Sequence, residues 1–288
     1  MTTDATSNIR YFHYPACHPK VTMSNPMIIN YHDACIYQSD LDLLMRNDSW
    51  LNDNILFYEM THLSIKSTSS GEDRSSVPCS HQIQYLDPSI VEFFMHSLSP
   101  SDEDDMEEIC NLYSQWWDSN SIDHQVILLV PLNDNNSQGF EGNSNGTLGN
   151  HWSLLYVIVR GDCVGSFHFD SSSGYNKHTA ELVFERMRDI IKIGRRVNSL
   201  PTQSLFECNV PQQQNGYDCG VHTLVTAESF ATSNAINSIS KMDFSHMKEC
   251  LEVMVHDFMS KYDNTCEMGR LKRREILDKI GLEASCVG

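Results

Sequence analysis

The chain has 288 residues, with 38 acidic residues against 20 basic ones and a formal net charge of −18 at pH 7. Nucleic acid is excluded as an expected partner, because binding phosphate groups needs a face rich in Lys and Arg. A bilayer span takes about 18 consecutive apolar residues, and no stretch approaches that length, so we expect no association with membranes.

The N-terminal residues 1–25 mix charges, prolines and histidines without the apolar segment of a secretory signal, and this composition predicts a flexible tail. Residues 26–288 are long enough for a single large domain, with polar loop insertions expected near 66–80 and 133–149. The cysteines are scattered, so we expect reduced thiols in the cytoplasm, the nucleus or both. No Cys-x-x-Cys pair occurs, so we expect no metal, and no other cofactor is expected. We also expect the chain to be a monomer.

Apolar spacing along the rest of the chain predicts a mixture of helices and strands. Helices are predicted over 49–65, 88–98 and 179–193, strands over 126–132, 153–159 and 166–169, and a last helix after Cys219. The acidic run 101–108 is typical of a solvated helix start. Lys272-Arg273-Arg274 is typical of a helix face, because apolar residues follow at helical spacing. Helices on both sides of a small central sheet predict an α+β domain.

His151 opens an apolar run through Val159, whose Tyr and β-branched residues predict a buried strand. A turn and a second short strand follow, and Asp170 ends that strand. In an antiparallel hairpin the start of the first strand lies beside the end of the second, so Asp170 is expected next to His151. A carboxylate in that position orients an imidazole for acid–base chemistry. Taken singly, His151 is more often a strand-edge histidine and Asp170 a turn residue.

Cys219 lies in the stretch 212–221, Gln-Gln-Gln-Asn-Gly-Tyr-Asp-Cys-Gly-Val, which predicts a loop leading into a helix. A helix N-terminus favours a thiolate, so Cys219 is a candidate nucleophile. Gly220 lets the backbone approach a substrate carbonyl, and the Gln213 amide can donate to the oxyanion together with the Cys219 backbone N–H. Taken alone, a cysteine beside glycine and apolar residues is more often a small buried hydrophobe.

Four blocks of the sequence together resemble a known family. They are Ser-Trp-Leu-Asn-Asp at 49–53, Asn-His-Trp-Ser-Leu at 150–154, His-Phe-Asp-Ser at 168–171 and the run from Pro211 to Gly220. The chain resembles the Ulp-type cysteine proteases, the sentrin/SUMO-specific protease family, which process ubiquitin-like modifiers. The segment 38–53 and the His-Trp-Ser motif, in place of His-Trp-Cys, resemble the deneddylase branch, which cleaves the neddylation modifier. The resemblance implies a papain-like, Ulp-type α+β domain with a central mixed sheet flanked by helices.

The resemblance also implies catalytic roles for single residues. Cys219 would be the nucleophile, His151 the general base, Asp170 the orienting acid and Gln213 the oxyanion donor, with no metal required. The leading hypothesis is therefore a thiol isopeptidase or C-terminal processing peptidase. Its partner would be a ubiquitin-like modifier and its conjugates, cut after the C-terminal Gly-Gly of the modifier.

Substrate contacts are implied in the same way. Trp50 and Trp152 would flank a narrow channel for the terminal Gly-Gly, because flat indole faces leave a slot that only glycine can pass. Asp53 matches a family position that contacts the C-terminal tail of the modifier, although an acid in the first turn of a helix also complements the helix dipole. Gly220 completes the predicted substrate-binding set.

Three other functions stay open. SUMO is the alternative modifier, because specificity is a difference of affinities set by many loops. An acyltransferase of similar fold is disfavoured by the paired tryptophans, since acetyl transfer has no need of a Gly-Gly channel. A module that binds a modifier without cutting it is disfavoured by the intact set of Cys219, His151, Asp170 and Gln213.

Overall fold

The computed structural model describes residues 25–69, 81–91, 114, 125–134, 151–161, 163–197, 199–201, 204–233, 239 and 242–287. The strands are β1 (Met27–Tyr31), β2 (Ala34–Tyr37), β3 (His81–Tyr85), β4 (Gln125–Asn133), β5 (Trp152–Arg160), β6 (Cys163–Phe169) and β7 (Phe206–Cys208). The helices are α1 (Gln38–Met45), α2 (Asp53–Ser69), α3 (Lys177–Gly194), α4 (Cys219–Thr232), α5 (Phe244–Met259) and α6 (Thr265–Val287).

A mixed sheet of five strands, in the order β3-β4-β5-β6-β7, forms the centre of the fold. The inner pairs β4–β5 and β5–β6 are antiparallel, whereas the outer pairs β3–β4 and β6–β7 are parallel. Strands β1 and β2 form a separate antiparallel hairpin. The predicted α+β architecture with a central mixed sheet is confirmed.

Both faces of the sheet are covered by helices, so β4 and β5 are buried along almost their whole length. Side chains of a strand alternate between faces. In β4, Ile127 and Leu129 accordingly join an apolar core shared with α2, α4, α5 and α6. Leu128 and Val130 join a second core on the opposite face, which is shared with α3.

The predicted strands lie within β4, β5 and β6, and the predicted helix 179–193 lies within α3. Helix α2 begins later than predicted, because the Asn52 side chain accepts a hydrogen bond from the Ile55 backbone N–H at 3.2 Å and so caps the helix. It also continues through 66–69, where a loop was expected, and that expectation is wrong. Residues 88–91 are helical. Several predictions fall on residues that the structure does not describe. They are the rest of the predicted helix 88–98, the predicted loop over 70–80, the predicted tail over 1–24, the acidic run 101–108 and the predicted insertion over 135–149.

The basic run Lys272-Arg273-Arg274 lies on helix α6, as predicted, but its first two residues are buried. Lys272 is 2% exposed. Its ammonium lies 3.3 Å from Glu59 of α2, 3.0 Å from Glu228 of α4 and 2.9 Å from Glu275. These ion pairs connect three helices behind the sheet, and a buried cation is tolerated only where such partners surround it.

Candidate active site

Cys219 is the first residue of α4, and the loop before it has a defined turn. The Asn215 side-chain oxygen accepts hydrogen bonds from the backbone N–H groups of Tyr217 (3.1 Å) and Asp218 (3.0 Å). The side-chain nitrogen of Asn215 donates to the Asp218 carboxylate at 2.8 Å. This asparagine turn delivers Cys219 to the N-terminus of a helix, where the helix dipole stabilises negative charge on the sulfur.

Helix α6 holds the same loop from behind. The buried Arg273 guanidinium donates to the Asp218 carboxylate at 3.0 Å and to the backbone carbonyl of Ser49. Gly269, one turn earlier on α6, gives room for this approach, because a Cβ there would lie 2.2 Å from the Asp218 carboxylate. Sequence reasoning missed this support. The glycine and the arginine four residues later do share one helix face, which is the only signal the sequence holds for it.

His151 and Asp170 lie at the same end of the β5–β6 hairpin, where the hairpin argument predicts them. Leu154 pairs with Phe169, so the residue before β5 and the residue after β6 are neighbours. The Nε2 atom of His151 lies 2.6 Å from the Asp170 carboxylate, and both side chains are buried. Burial alone would raise the pKa of Asp170, but hydrogen bonds from His151 and from the backbone N–H groups of Asn176 and Ser172 hold it below its ordinary value.

Cys219 acts on the His151 imidazole together with Asp170. Burial by itself would lower the pKa of His151, but the Asp170 carboxylate and the Cys219 sulfur outweigh it and raise the pKa to about 9. His151 is therefore an imidazolium at neutral pH. Since Nε2 is taken by Asp170, proton transfer involving the sulfur is left to Nδ1. The arrangement is a cysteine sulfur, a cationic imidazole and an orienting carboxylate, all buried together.

Gln213 lies between the hairpin end and the cysteine loop. Its backbone N–H donates to the Ser171 carbonyl at 2.9 Å, and its side-chain oxygen accepts from the Ser171 hydroxyl at 2.7 Å. The side-chain nitrogen donates one hydrogen to the Asn215 carbonyl at 2.7 Å, which leaves a second hydrogen on that nitrogen. Its oxyanion role stays a prediction.

Gly220 has a packing role in the structure. A Cβ at this position would lie 3.0 Å from Leu51 Cβ and 3.4 Å from Leu56 Cδ1, so the glycine lets α4 approach the start of α2. Its predicted contact with substrate stays a prediction. Asp53 is the first residue of α2 and is exposed. This position agrees both with an acid that complements the helix dipole and with one that contacts a substrate.

The two predicted channel tryptophans are both held by their indole N–H groups. Trp152 is buried, and its N–H donates to the Leu51 carbonyl at 2.9 Å. Trp50 is 46% exposed, and its N–H donates to the Gly216 carbonyl in the cysteine loop. The segment that contains Trp50 and Leu51 is thus connected to the loop before Cys219 on one side and to the start of β5 on the other.

A sequence model of the Ulp1 protease family, C-terminal catalytic domain, matches residues 49–261. The chain belongs to the Ulp1 protease family. It is a cysteine-type peptidase, and the predicted family is confirmed. A solved structure, described as a crystal structure of the de-sumoylating protease, agrees with the fold at a TM-score of 0.54 and 17% identity over 86% of this chain and 87% of that one.

Several relatives carry names of the deneddylase branch. A Dictyostelium discoideum protein named "Probable sentrin-specific protease 8" is 29% identical over 264 residues, covering 90% of this chain and 98% of the relative. The Homo sapiens sentrin-specific protease 8 is 27% identical, covering 71% of this chain and 81% of the relative. The Arabidopsis thaliana NEDD8-specific protease 1 is 29% identical, covering 82% of this chain and 90% of the relative. The predicted resemblance to that branch is confirmed.

The described part of this Ulp1-family chain has no helix long and apolar enough to cross a membrane. Within the same residues, no group of three or more His, Cys, Asp or Glu side chains is placed to hold a metal ion.

Proposed function

We propose that this chain cleaves the bond after the C-terminal Gly-Gly of a ubiquitin-like modifier, and that its preferred modifier is NEDD8, the neddylation modifier. The observation that carries the chemistry is the 2.6 Å contact between His151 and Asp170, with Cys219 at a helix start acting on the same imidazole. The names of the Arabidopsis thaliana and Homo sapiens relatives support the choice of modifier.

The first half of the reaction forms a thioester. The Cys219 thiolate attacks the carbonyl carbon of the terminal glycine, and the carbonyl electrons move onto oxygen. The backbone N–H of Cys219 and the second side-chain hydrogen of Gln213 stabilise this oxyanion. The His151 imidazolium then donates its Nδ1 proton to the leaving amine as the carbon–nitrogen bond breaks.

The second half releases the modifier. Neutral His151 accepts a proton from a water molecule, whose oxygen attacks the thioester carbonyl. The carbon–sulfur bond breaks, which restores the thiolate beside the imidazolium, and the modifier leaves as a C-terminal carboxylic acid that loses its proton to the solvent. Asp170 stays deprotonated throughout the reaction and holds the imidazole in the productive tautomer.

The burial of Cys219 supports a Gly-Gly substrate. Its side chain has no exposed surface, which favours a slender substrate over a bulky one. In the proposal Trp50 and Trp152 flank the path of that substrate; Trp50 is hydrogen bonded to the cysteine loop and Trp152 to Leu51. A chain without Cβ atoms fits between flat indole faces, whereas larger residues clash. A monomeric state and a cytoplasmic or nuclear location stay predictions.

The test is cleavage of C-terminal fluorogenic fusions of NEDD8, SUMO and ubiquitin by the purified chain. We expect the kcat/KM for NEDD8 to exceed that for the other two by about a hundredfold or more, a difference of roughly 3 kcal/mol in transition-state binding. Preference for SUMO would contradict the choice of modifier but keep the chemistry. Absence of cleavage with all three would contradict the proposed function itself.

A further inference from the structure

Asn176 lies directly before α3, at the position where an asparagine normally caps a helix with its side chain. It forms no such cap. Its side-chain nitrogen instead donates to the His151 backbone carbonyl and to the Ser153 hydroxyl, both at 3.1 Å. Its backbone N–H donates to the Asp170 carboxylate at 3.0 Å. One buried residue therefore binds both members of the catalytic pair and gives up the local hydrogen bond that its type usually makes.

The orientation of the Asn176 amide is fixed by its partners. A backbone carbonyl can only accept, so the nitrogen and not the oxygen of the amide must face His151. Both hydrogens of that nitrogen are then used, one on His151 and one on the Ser153 oxygen. Rotating the amide by half a turn would place its oxygen against the His151 carbonyl oxygen, and both atoms can only accept. The side chain therefore has a single favourable orientation.

The hydrogen-bonded chain continues inward from Ser153. Because its oxygen already accepts from Asn176, its hydroxyl hydrogen is available for His168 Nε2, which lies 2.9 Å away. His168 then carries its own proton on Nδ1, which lies 3.0 Å from the Glu207 carboxylate. Each donor meets one acceptor in a consistent direction from Asn176 to Glu207, across strands β5, β6 and β7. Ser153, the serine of the His-Trp-Ser motif, thus accepts one hydrogen bond and donates another. A cysteine at this position would do both only weakly, because a thiol is a weak donor and acceptor.

We propose that Asn176 is a positioning residue for the peptidase reaction, and that Ser153 and His168 hold it in place. The inference rests on the proposed function. Asn176 fixes the main chain of His151 and the carboxylate of Asp170 at the same time, so it sets the angle at which the imidazole meets the Cys219 sulfur. A displacement of about 1 Å at a reacting centre can cost roughly a hundredfold in rate.

The experiment separates this role from helix capping. Serine caps a helix about as well as asparagine, so a role in capping alone predicts full activity for Asn176→Ser. Positioning predicts that Asn176→Ser and Asn176→Ala both lower kcat by about 10- to 100-fold, with KM changed by less than about twofold. Each kcat is divided by the concentration of sites titrated with a modifier that carries a C-terminal electrophile, so misfolded enzyme is not counted.

Ser153→Ala is the second variant and decides the outcome if Asn176→Ser does not fold. We expect it to lower kcat at constant KM by about threefold to tenfold, because Asn176 loses one of its two acceptors. Thr61→Ala is the matched control, because Thr61 is also buried and donates its hydroxyl to the Phe57 carbonyl within α2, away from the site. Thr61→Ala is expected to keep the kcat of the parent chain.

The rate of Cys219 alkylation by iodoacetamide at pH 7 is measured in parallel, because it needs no modifier. Slower alkylation in Asn176→Ser and Ser153→Ala, but not in Thr61→Ala, supports the proposal even if no tested modifier is cleaved. Unchanged alkylation together with a kcat for Asn176→Ser within about twofold of the parent chain overturns it.

Discussion

Cys219→Ala abolishes cleavage of modifier fusions, with kcat/KM expected to fall by about 10⁴- to 10⁶-fold, while binding of the modifier is retained. The alanine removes the sulfur that is proposed to attack the substrate carbonyl. It leaves α4, the asparagine turn and the tryptophan contacts in place, because none of them uses the sulfur. The measurement is cleavage of a NEDD8 fusion beside calorimetric binding of NEDD8 to the same variant.

Cys250→Ala is the matched control for this variant. Cys250 is half-buried in α5 and its sulfur contacts Met242, so the substitution removes a thiol outside the Cys219–His151–Asp170 set. We expect its kcat/KM to stay within about twofold of the parent value. Substantial turnover by Cys219→Ala, or an equal loss in both variants, would show that Cys219 is not the nucleophile.

Asp170→Asn is expected to lower kcat by about 10²- to 10⁴-fold with a smaller change in KM. The asparagine keeps the size of the side chain but loses the negative charge that stabilises the imidazolium. It can also present an N–H to His151 Nε2, which favours the unproductive tautomer. The measurement is the pH profile of kcat/KM together with its absolute value at neutral pH.

The pKa shifts of His151 and Asp170 determine how the stability that this pair contributes depends on pH. In the parent chain the pKa of His151 is raised to about 9, so the charge on His151 contributes to stability below its ordinary pKa of 6.5 and that contribution is lost as the pH rises through 9. The pKa of Asp170 is lowered, so its contribution is present above its ordinary value of 3.8 and is lost as the pH falls through the lowered pKa. The ion pair is therefore intact between these limits.

Asp170→Asn removes two of the causes that raise the pKa of His151, so the alkaline limb of the activity profile moves to lower pH. Asp243→Asn is the matched control. Asp243 also contacts a histidine, His246, at 2.5 Å, but both side chains are exposed at the start of α5. We expect Asp243→Asn to leave both kcat and the position of the alkaline limb unchanged. An unmoved limb in Asp170→Asn would contradict the proposed pairing.

The parts of the site that are built from elements adjacent in the chain could be predicted from the sequence. Apolar residues at helical spacing after Cys219 predict a helix start there, and hairpin geometry predicts that Asp170 lies beside His151. Both inferences use elements that adjoin in the chain. Residues separated by one strand–turn–strand unit have few ways to meet, so the pattern limits the geometry strongly.

The supporting contacts depend on packing between distant elements, and the sequence does not indicate them. Arg273 meets Asp218 only because α6 packs against the cysteine loop, 55 positions away in sequence. Asn176 has the residue type and position of an ordinary helix cap, and only the placement of β5 beside the α3 start shows its other partners. Strand β7 is three residues long and gives no periodicity, so the His168–Glu207 contact could not be predicted either.

The most direct test of the account is covalent labelling by NEDD8 whose C-terminal glycine carries an electrophile in place of the scissile bond, followed by mass spectrometry of the digested adduct. We predict one modifier added per chain and attached to Cys219, with strongly reduced labelling in Asp170→Asn and none in Cys219→Ala. Labelling at a different cysteine, or labelling of Asp170→Asn at the parent rate, would contradict the proposed Cys219–His151–Asp170 machinery.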